Sequence, residues 1–214
     1  EGYPTNSFFI YEFDGFIKDE ADLADYKTKM KGGVPTNLRV GDAKYVDKDG
    51  DGVLEPTLYK EGDPNSGDIV YKGTNNQRYL YGINLGLDWK GIDVSAFLQG
   101  VGKWDCINGT YAGGGEVWKQ SSQYFYHNTW SPDRPNAEYP RLTQDGGIHG
   151  YNYQWSDAPY KFFNNRYLRL KEVQIGYTFP TTLTKKIGVE KLRVYATGMN
   201  LLEWDNLPNG FDPE

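Results

Sequence analysis

The 214-residue sequence has a single cysteine, Cys106, which rules out an internal disulfide framework and a cysteine-rich zinc site. No run of 18 or more apolar residues occurs, so there is no transmembrane helix. That absence leaves a membrane β-barrel open, because barrel strands alternate and never show such a run. Positive charge is not in excess: the net charge of −6 leaves no electrostatic footprint for nucleic acid. The two histidines, His127 and His149, lack a helix-spaced metal partner, and no nucleophile elbow is present. Carboxylates are abundant enough that a pair at glycosidase spacing would arise by chance. The residues therefore point away from an enzyme. A long helical periodicity is missing, and EGYPTNSFF has no signal-peptide pattern. Both that opening and the final GFDPE read as the interior of a longer chain.

What is present is aromatic and glycine-rich: 18 Tyr, 10 Phe, 6 Trp and 26 Gly. With few aliphatic runs, this composition favours β structure with long loops and argues against disorder, which is poor in aromatics. The clearest stretch is YLYGINLGLDWKGIDVSAFLQGVG, residues 79–102. Tyr79, Tyr81, Ile83, Leu85, Leu87 and Trp89 share one face, with Gly82, Asn84, Gly86 and Asp88 among those between them. This is period 2, the strand period. Lys90-Gly91 is a two-residue turn. It makes Trp89 the partner of Ile92 and Asp88 the partner of Asp93, so turn and pattern agree.

A third strand is predicted over 170–180 (LKEVQIGYTFP), with Val173, Ile175, Tyr177 and Phe179 on one face. A fourth spans 191–201 (KLRVYATGMNL) with less clean faces. A fifth candidate is SFFIYEF at 7–13, and TTLTKKIGV (181–189) is at most a short helical turn between strands. The resulting division is an external loop over 14–78, a hairpin over 79–101, a long external loop over 102–166 and a strand pair over 167–201. Short turns at one end and long loops at the other are the anatomy of an outer-membrane barrel. Strands of about 10 residues suit a bilayer at barrel tilt. The aromatic strand ends (Tyr79, Tyr81, Trp89, Tyr177, Phe179) fit interfacial girdles and favour barrel over sandwich.

Residues 45–56, YVDKDGDGVLEP, open like a calcium loop. Asp47, Asp49 and Asp51 fill the first three ligand positions, Val53 would offer its carbonyl, and Glu55 would serve at the ninth. The twelfth position is Leu58, and flanking helices are not evident, so a calcium sensor is excluded. A hard-cation loop remains, with Ca²⁺ favoured over Mg²⁺ because flexible all-protein oxygen sites suit it. The competing reading is an Asp/Gly-rich turn that binds nothing. The long loop carries Trp104, Tyr111, Trp118, Tyr124, Tyr126, Trp130, Tyr151, Tyr153 and Trp155. The four tryptophans Trp104, Trp118, Trp130 and Trp155 are the candidates for stacking on a ligand or facing a partner; packing within the loop is the competing role for each.

Several phrases together resemble one family, the SusC/RagA-type TonB-dependent outer-membrane transporters of Bacteroidetes. They are GDAKYVDKDGDGVLE, GINLGLDWKGIDVSAFLQGVG, WSPDRPNAEYPRL, RYLRLKEVQIGYTFP, KKIGVEKLRVYATGMNLLEW and GFDPE, in the family's order along nearly the whole chain. Each phrase is weak alone; the ordered set is specific. The resemblance implies an all-β fold, the C-terminal part of a transmembrane barrel of about 22 antiparallel strands. It implies nutrient import in the Gram-negative outer membrane, in contact with outer-membrane lipid. Its implied partners are TonB, engaged through an N-terminal region not in this sequence, and a SusD-like surface lipoprotein acting as a lid. A glycan or peptide substrate and a homodimer of transporter pairs are also implied. Asp68, in SGDIVYKG, would fold back on the metal loop as a further carboxylate. The family's plug and TonB-contacting residues are not in this sequence. The alternative is a secreted soluble β-sandwich that binds carbohydrate and carries a structural calcium. The discriminator is Ile83, Leu85 and Leu87: bare in a barrel wall, covered by a second sheet in a sandwich.

Overall fold

The computed structural model describes residues 2–107, 127–152, 154–207 and 212. The chain divides into two compact units, Glu1–Asn75 with Cys106–Phe163, and Asn76–Asp105 with Asn164–Glu214.

The second unit is one antiparallel sheet. Its strands are β5 (Arg78–Trp89), β6 (Ile92–Lys103), β9 (Tyr167–Thr178) and β10 (Arg193–Asp205), in the order β10-β9-β6-β5. The hairpin has the predicted register, Trp89 opposite Ile92 and Asp88 opposite Asp93. Lys90 and Gly91 both take positive φ, 49° and 88°, as a type I′ turn requires. A side chain at Gly91 would stand 2.8 Å from the Thr178 carbonyl oxygen, so glycine lets the hairpin tip meet the end of β9. The Thr178 N–H donates to the Gly91 carbonyl at 2.7 Å.

Period 2 and this register together sort the side chains. One face carries Ile83, Leu85, Leu87 and Trp89 of β5, then Ile92, Val94, Ala96 and Leu98 of β6. The same face continues with Val173, Ile175 and Tyr177 of β9 and Val194 and Ala196 of β10. Strict alternation would send Leu168 and Leu170 to the opposite face. A bulge at Lys171 opposes two residues of β9 to one of β6 and restores both leucines to the apolar face. A second irregularity, between Met199 and Leu202 with Asn200 at φ 52°, accommodates β10 beside it. The opposite face is mixed: Leu80, Phe97, Val101, Tyr195 and Met199 share it with Asn84, Asp88, Asp93, Glu172 and Gln174. On it Arg193 of β10 reaches across Gly176 of β9 to Asp93 of β6, and its Nη2 donates to Gln174 at 2.8 Å. Between β9 and β10 lies α3 (Thr181–Thr184) with a 3₁₀ turn, Lys185–Ile187, the short helical turn expected there.

The first unit is loop-rich. β1 (Ser7–Tyr11) pairs with β4 (Ile69–Thr74), and β2 (Phe13–Phe16) with β3 (Ala43–Tyr45), both antiparallel. β7 (Asp105–Ile107) pairs with β8 (Phe162–Asn164). Two helices, α1 (Glu20–Lys29) and α2 (Gly146–Asn152), complete the described elements. The expected loop over 14–78 thus holds a helix that the sequence pattern did not reveal. The side chain of Asp19 caps α1 by accepting from the Asp22 N–H at 2.8 Å, and Asp22 in turn accepts from Lys18 N–H at 2.9 Å. Among the described residues no helix is long and apolar enough to cross a membrane.

The core of this unit is aromatic: Tyr11, Tyr26, Tyr45 and Tyr151 pack with Ile17, Leu23, Leu38 and Ile148. The Tyr26 hydroxyl lies 2.9 Å from that of Tyr151, and the Tyr45 hydroxyl donates to the Tyr151 carbonyl at 2.7 Å. Beside them sits Asp42, fully buried. It accepts from Arg39 N–H at 2.7 Å, Asn152 Nδ2 at 3.0 Å and Arg141 Nη2 at 3.1 Å. Removing one partner of such a pair strands the other charge, so Asp42→Ala should destabilise this unit by about 3–5 kcal/mol. In the full-length protein, the temperature at which protease first cuts within 33–60 should drop by many degrees; an unchanged temperature would show that the pair carries no such weight.

Candidate functional site

The metal-like loop follows directly from aspartate and glycine chemistry. Short carboxylates accept from nearby backbone N–H groups, and glycine supplies the positive φ such turns need. Asp47 accepts from Gly50 N–H and Gly52 N–H, both at 2.8 Å. Gly50 and Gly52 have φ of 84° and 87°. Gly52 is also pressed against the end of α1: its carbonyl accepts from Lys31 N–H at 2.6 Å, and a side chain there would stand 2.8 Å from the Lys29 carbonyl.

Asp68 folds back onto this loop as the resemblance implied. It is fully buried and accepts from Lys48 N–H at 2.6 Å and from Glu55 N–H at 2.7 Å. Asp49 accepts from Gly67 N–H at 3.0 Å and Asp51 N–H at 3.2 Å. The result is a cluster of three carboxylates, Asp47, Asp49 and Asp68, each offering an oxygen within 4.8 Å of the others. Asp51 and Glu55 are not in the cluster. The Asp51 carboxylate turns onto its own Val53 N–H at 2.6 Å, and Glu55 joins through its backbone N–H alone. Val53 forms an isolated bridge with Gly32.

Among the described residues no lysine or arginine pairs with Asp47, Asp49 or Asp68. Lys48 points instead to Glu12, at 2.6 Å. Burial pushes the Asp68 carboxyl above the usual range; the nearby charges of Asp47 and Asp49 push the same way, against the pull of its two N–H donors. Asp49 is held low, first by the Gly67 N–H. An all-oxygen set of three carboxylates suits a hard cation such as Ca²⁺, because each oxygen bonded to one N–H keeps a further lone pair. Asp47, Asp49 and Asp68 would hold the ion, and its double charge would offset their repulsion.

The four candidate tryptophans separate. Trp118 lies outside the described residues. Trp130 is half-buried and packs its indole on Gly41, whose φ of 89° and missing side chain make the room. Trp104 is half-buried, and its carbonyl accepts from Asn165 N–H at 2.6 Å. Trp155 alone of the three is open, 63% exposed, and walls a hollow of about 500 Å³ with Phe9, Tyr11, Pro56 and Ile69. Sequence reasoning missed Trp204, which extends the apolar face of β10 beyond the predicted strand end and is 53% exposed.

Two measurements test the cluster. With calcium present, the double variant Asp47→Ala/Asp49→Ala should be nicked by protease between about 40 and 70 more readily than the parent, with the sheet unit intact. Equal nicking of the parent with calcium and with chelator would sink the metal reading. The second uses pH. A carboxyl whose folded value is raised destabilises the fold as pH rises from the ordinary aspartate value through the raised one. Metal-free, the Asp68 contribution therefore favours the acid side of that window. Calcium needs the ionised carboxylates, so its protection should fade as pH falls through the same window. Opposite slopes of protease resistance with and without calcium are expected; parallel slopes would show that Asp68 is not a ligand.

Comparison with known proteins agrees with the phrases in the sequence. No family model matches the chain. TonB-dependent receptor P3 of Formosa agariphila is 29% identical over 217 residues, covering 100% of this chain and 19% of the relative. TonB-dependent receptor P26 of the same organism is 28% identical over 181 residues, covering 82% of this chain and 16% of the relative. Among solved structures, the RagAB peptide importer in its open-open state matches 99% of this chain and 20% of that one, with a TM-score of 0.59 and 21% identity. Its closed-closed state gives a TM-score of 0.55 with 19% identity. The chain thus spans about a fifth of the length of these relatives. In sequence and in fold, it is similar to a partial segment of the SusC/RagA-type TonB-dependent transporters.

Proposed function

We propose that the chain is a wall-and-loop segment of an outer-membrane nutrient importer, working with TonB and under a SusD-like surface lipoprotein. The observation that carries this reading is the bare apolar face of the four-stranded sheet. Ile83, Leu85 and Leu87 are 46%, 58% and 64% exposed. Trp89, Ile175 and Val194 on the same face are 60%, 55% and 59% exposed. A sandwich built from this chain's own strands would cover them. Lipid removes such a face from water with no second sheet.

Edge geometry supports the same reading. Among the described residues the outer edges of β5 and β10 have no partner strand. Unpaired backbone groups in hydrocarbon are expensive, so further strands would close the wall. The sheet then supplies wall and lumen face, and the loop carrying Asp47, Asp49 and Asp68 is an external loop stiffened by a cation. The substrate is a glycan or a peptide, with Trp155 the exposed aromatic of the described loop; two such transporters would pair side by side.

The wall reading distinguishes the two faces of one strand. Leu85→Arg places a charge near mid-membrane on the lipid face, at about 2–4 kcal/mol. Asn84→Arg places it on the lumen face. Full-length Leu85→Arg should accumulate far less folded, heat-modifiable barrel in the outer-membrane fraction than either Asn84→Arg or the parent. Equal amounts of the two variants would refute the wall.

A further inference from the structure

At the end of the sheet that leads into the long connections, opposite the Lys90-Gly91 turn, lies a hollow of about 390 Å³. Its walls include Tyr81, Leu168 and Trp204, all on the apolar face by register. The Tyr81 ring lies over Gly100, where a side chain would stand 2.6 Å from the phenol carbon, and its hydroxyl donates to the Tyr167 carbonyl at 3.1 Å. The hollow's cation is Arg166, exposed and held by Asn206. With the carboxamide oxygen facing the guanidinium, Nε donates at 2.8 Å and Nη2 at 3.1 Å.

This arrangement differs from an ordinary surface ion pair. Asn206 is neutral, so it orients Arg166 without cancelling its charge, and among the described residues Arg166 has no ion pair. Asp205, also on the wall, spends a carboxylate oxygen on the Leu207 N–H at 2.7 Å. An oriented guanidinium beside aromatic rings, at the rim of a lipid-facing band, sits at headgroup depth. The planar fork of arginine matches phosphate oxygens, and its partner here leaves Nη1 open.

Resting on the reading of this unit as barrel wall, we propose that Arg166, oriented by Asn206, binds the phosphate of an anionic outer-leaflet lipid whose apolar part lies against Tyr81, Leu168 and Trp204. The site is a lipid contact at the outer rim of the sheet, not a substrate site.

The test uses the full-length transporter in mild detergent and native mass spectrometry. The probes are phosphorylated lipid A and the same lipid with its phosphates removed, with millimolar inorganic phosphate as competitor. Arg166→Ala should weaken lipid A binding on the order of 10- to 100-fold, as loss of a charged hydrogen bond predicts, and should leave the weaker binding of the dephosphorylated lipid unchanged. Inorganic phosphate should not displace the lipid. Undiminished lipid A binding by Arg166→Ala overturns the proposal, and so does displacement by phosphate, which would mark a free-anion site. Loss of a co-purifying surface lipoprotein with lipid binding intact would make the rim a protein contact instead. Should Arg166→Ala fail to assemble, Asn206→Ala decides: a smaller loss is expected, and none overturns it. A parent protein absent from the outer membrane would refute the wall reading itself, a separate outcome.

Discussion

Everything in the sheet unit depends on one constraint: a β-strand sends successive side chains to opposite faces, and four strands in register add their apolar halves together. The result is a continuous field of Leu, Ile, Val and Trp with nothing of this sheet above it. Soluble proteins rarely leave contiguous apolar patches beyond a few hundred Å². The field is also bounded by aromatics at both ends, with Trp89 and Tyr177 near the tight turn and Tyr81 and Trp204 at the far end. A core face has no reason to change chemistry at its two ends; a face crossing two lipid–water interfaces does.

Much of this unit was legible because its rules are local. Lys90-Gly91 fits a two-residue turn, the turn fixes the pairing of Trp89 with Ile92, and alternation does the rest. The bulge at Lys171 was not legible. A strict period 2 puts Leu170 with Glu172 and Gln174, and only the neighbouring strand shows that an extra residue intervenes. The end of β10 was misjudged for a related reason: Leu202 and Trp204 continue pairings with β9 that side-chain pattern alone does not announce. Helix α1 escaped because Leu23 and Tyr26 are the buried residues within it, too few for a periodic signal. Its cap, Asp19 with Asp22, was the signal available.

The carboxylate cluster shows both the reach and the limit of spacing arguments. Alternate aspartates make Asx turns whether or not an ion is present, so Asp47, Asp49 and Asp51 looked equivalent in sequence. In the fold, Asp51 spends its carboxylate two residues onward, on Val53, while Asp68 arrives from a distant turn. Family resemblance located Asp68; local spacing could not, because a fold-back contact has no sequence period.

The two units solve the backbone problem in opposite ways. The sheet pairs its N–H and C=O groups strand to strand and leaves its apolar side chains outward. The loop unit has little regular structure, so its side chains must serve the backbone. The Tyr26 hydroxyl meets both the N–H and the carbonyl of Tyr45, Tyr45 reaches the Tyr151 carbonyl, and Tyr160 reaches that of Asn152. A phenol brings a large apolar body and one polar tip, which is what an irregular core needs. Burial pushes the phenols of Tyr11, Tyr26, Tyr45 and Tyr151 above their ordinary range, Tyr11 up to about 12, so these four remain neutral at any physiological pH. The core of the loop unit is therefore shared between aliphatic residues such as Ile17, Leu38 and Ile148 and rings that carry hydroxyls. Asp47, Asp49 and Asp68 stand apart in that setting: among the described residues they are side chains that serve the backbone while their charges converge within 4.8 Å of one another, a repulsion that the proposed cation would offset.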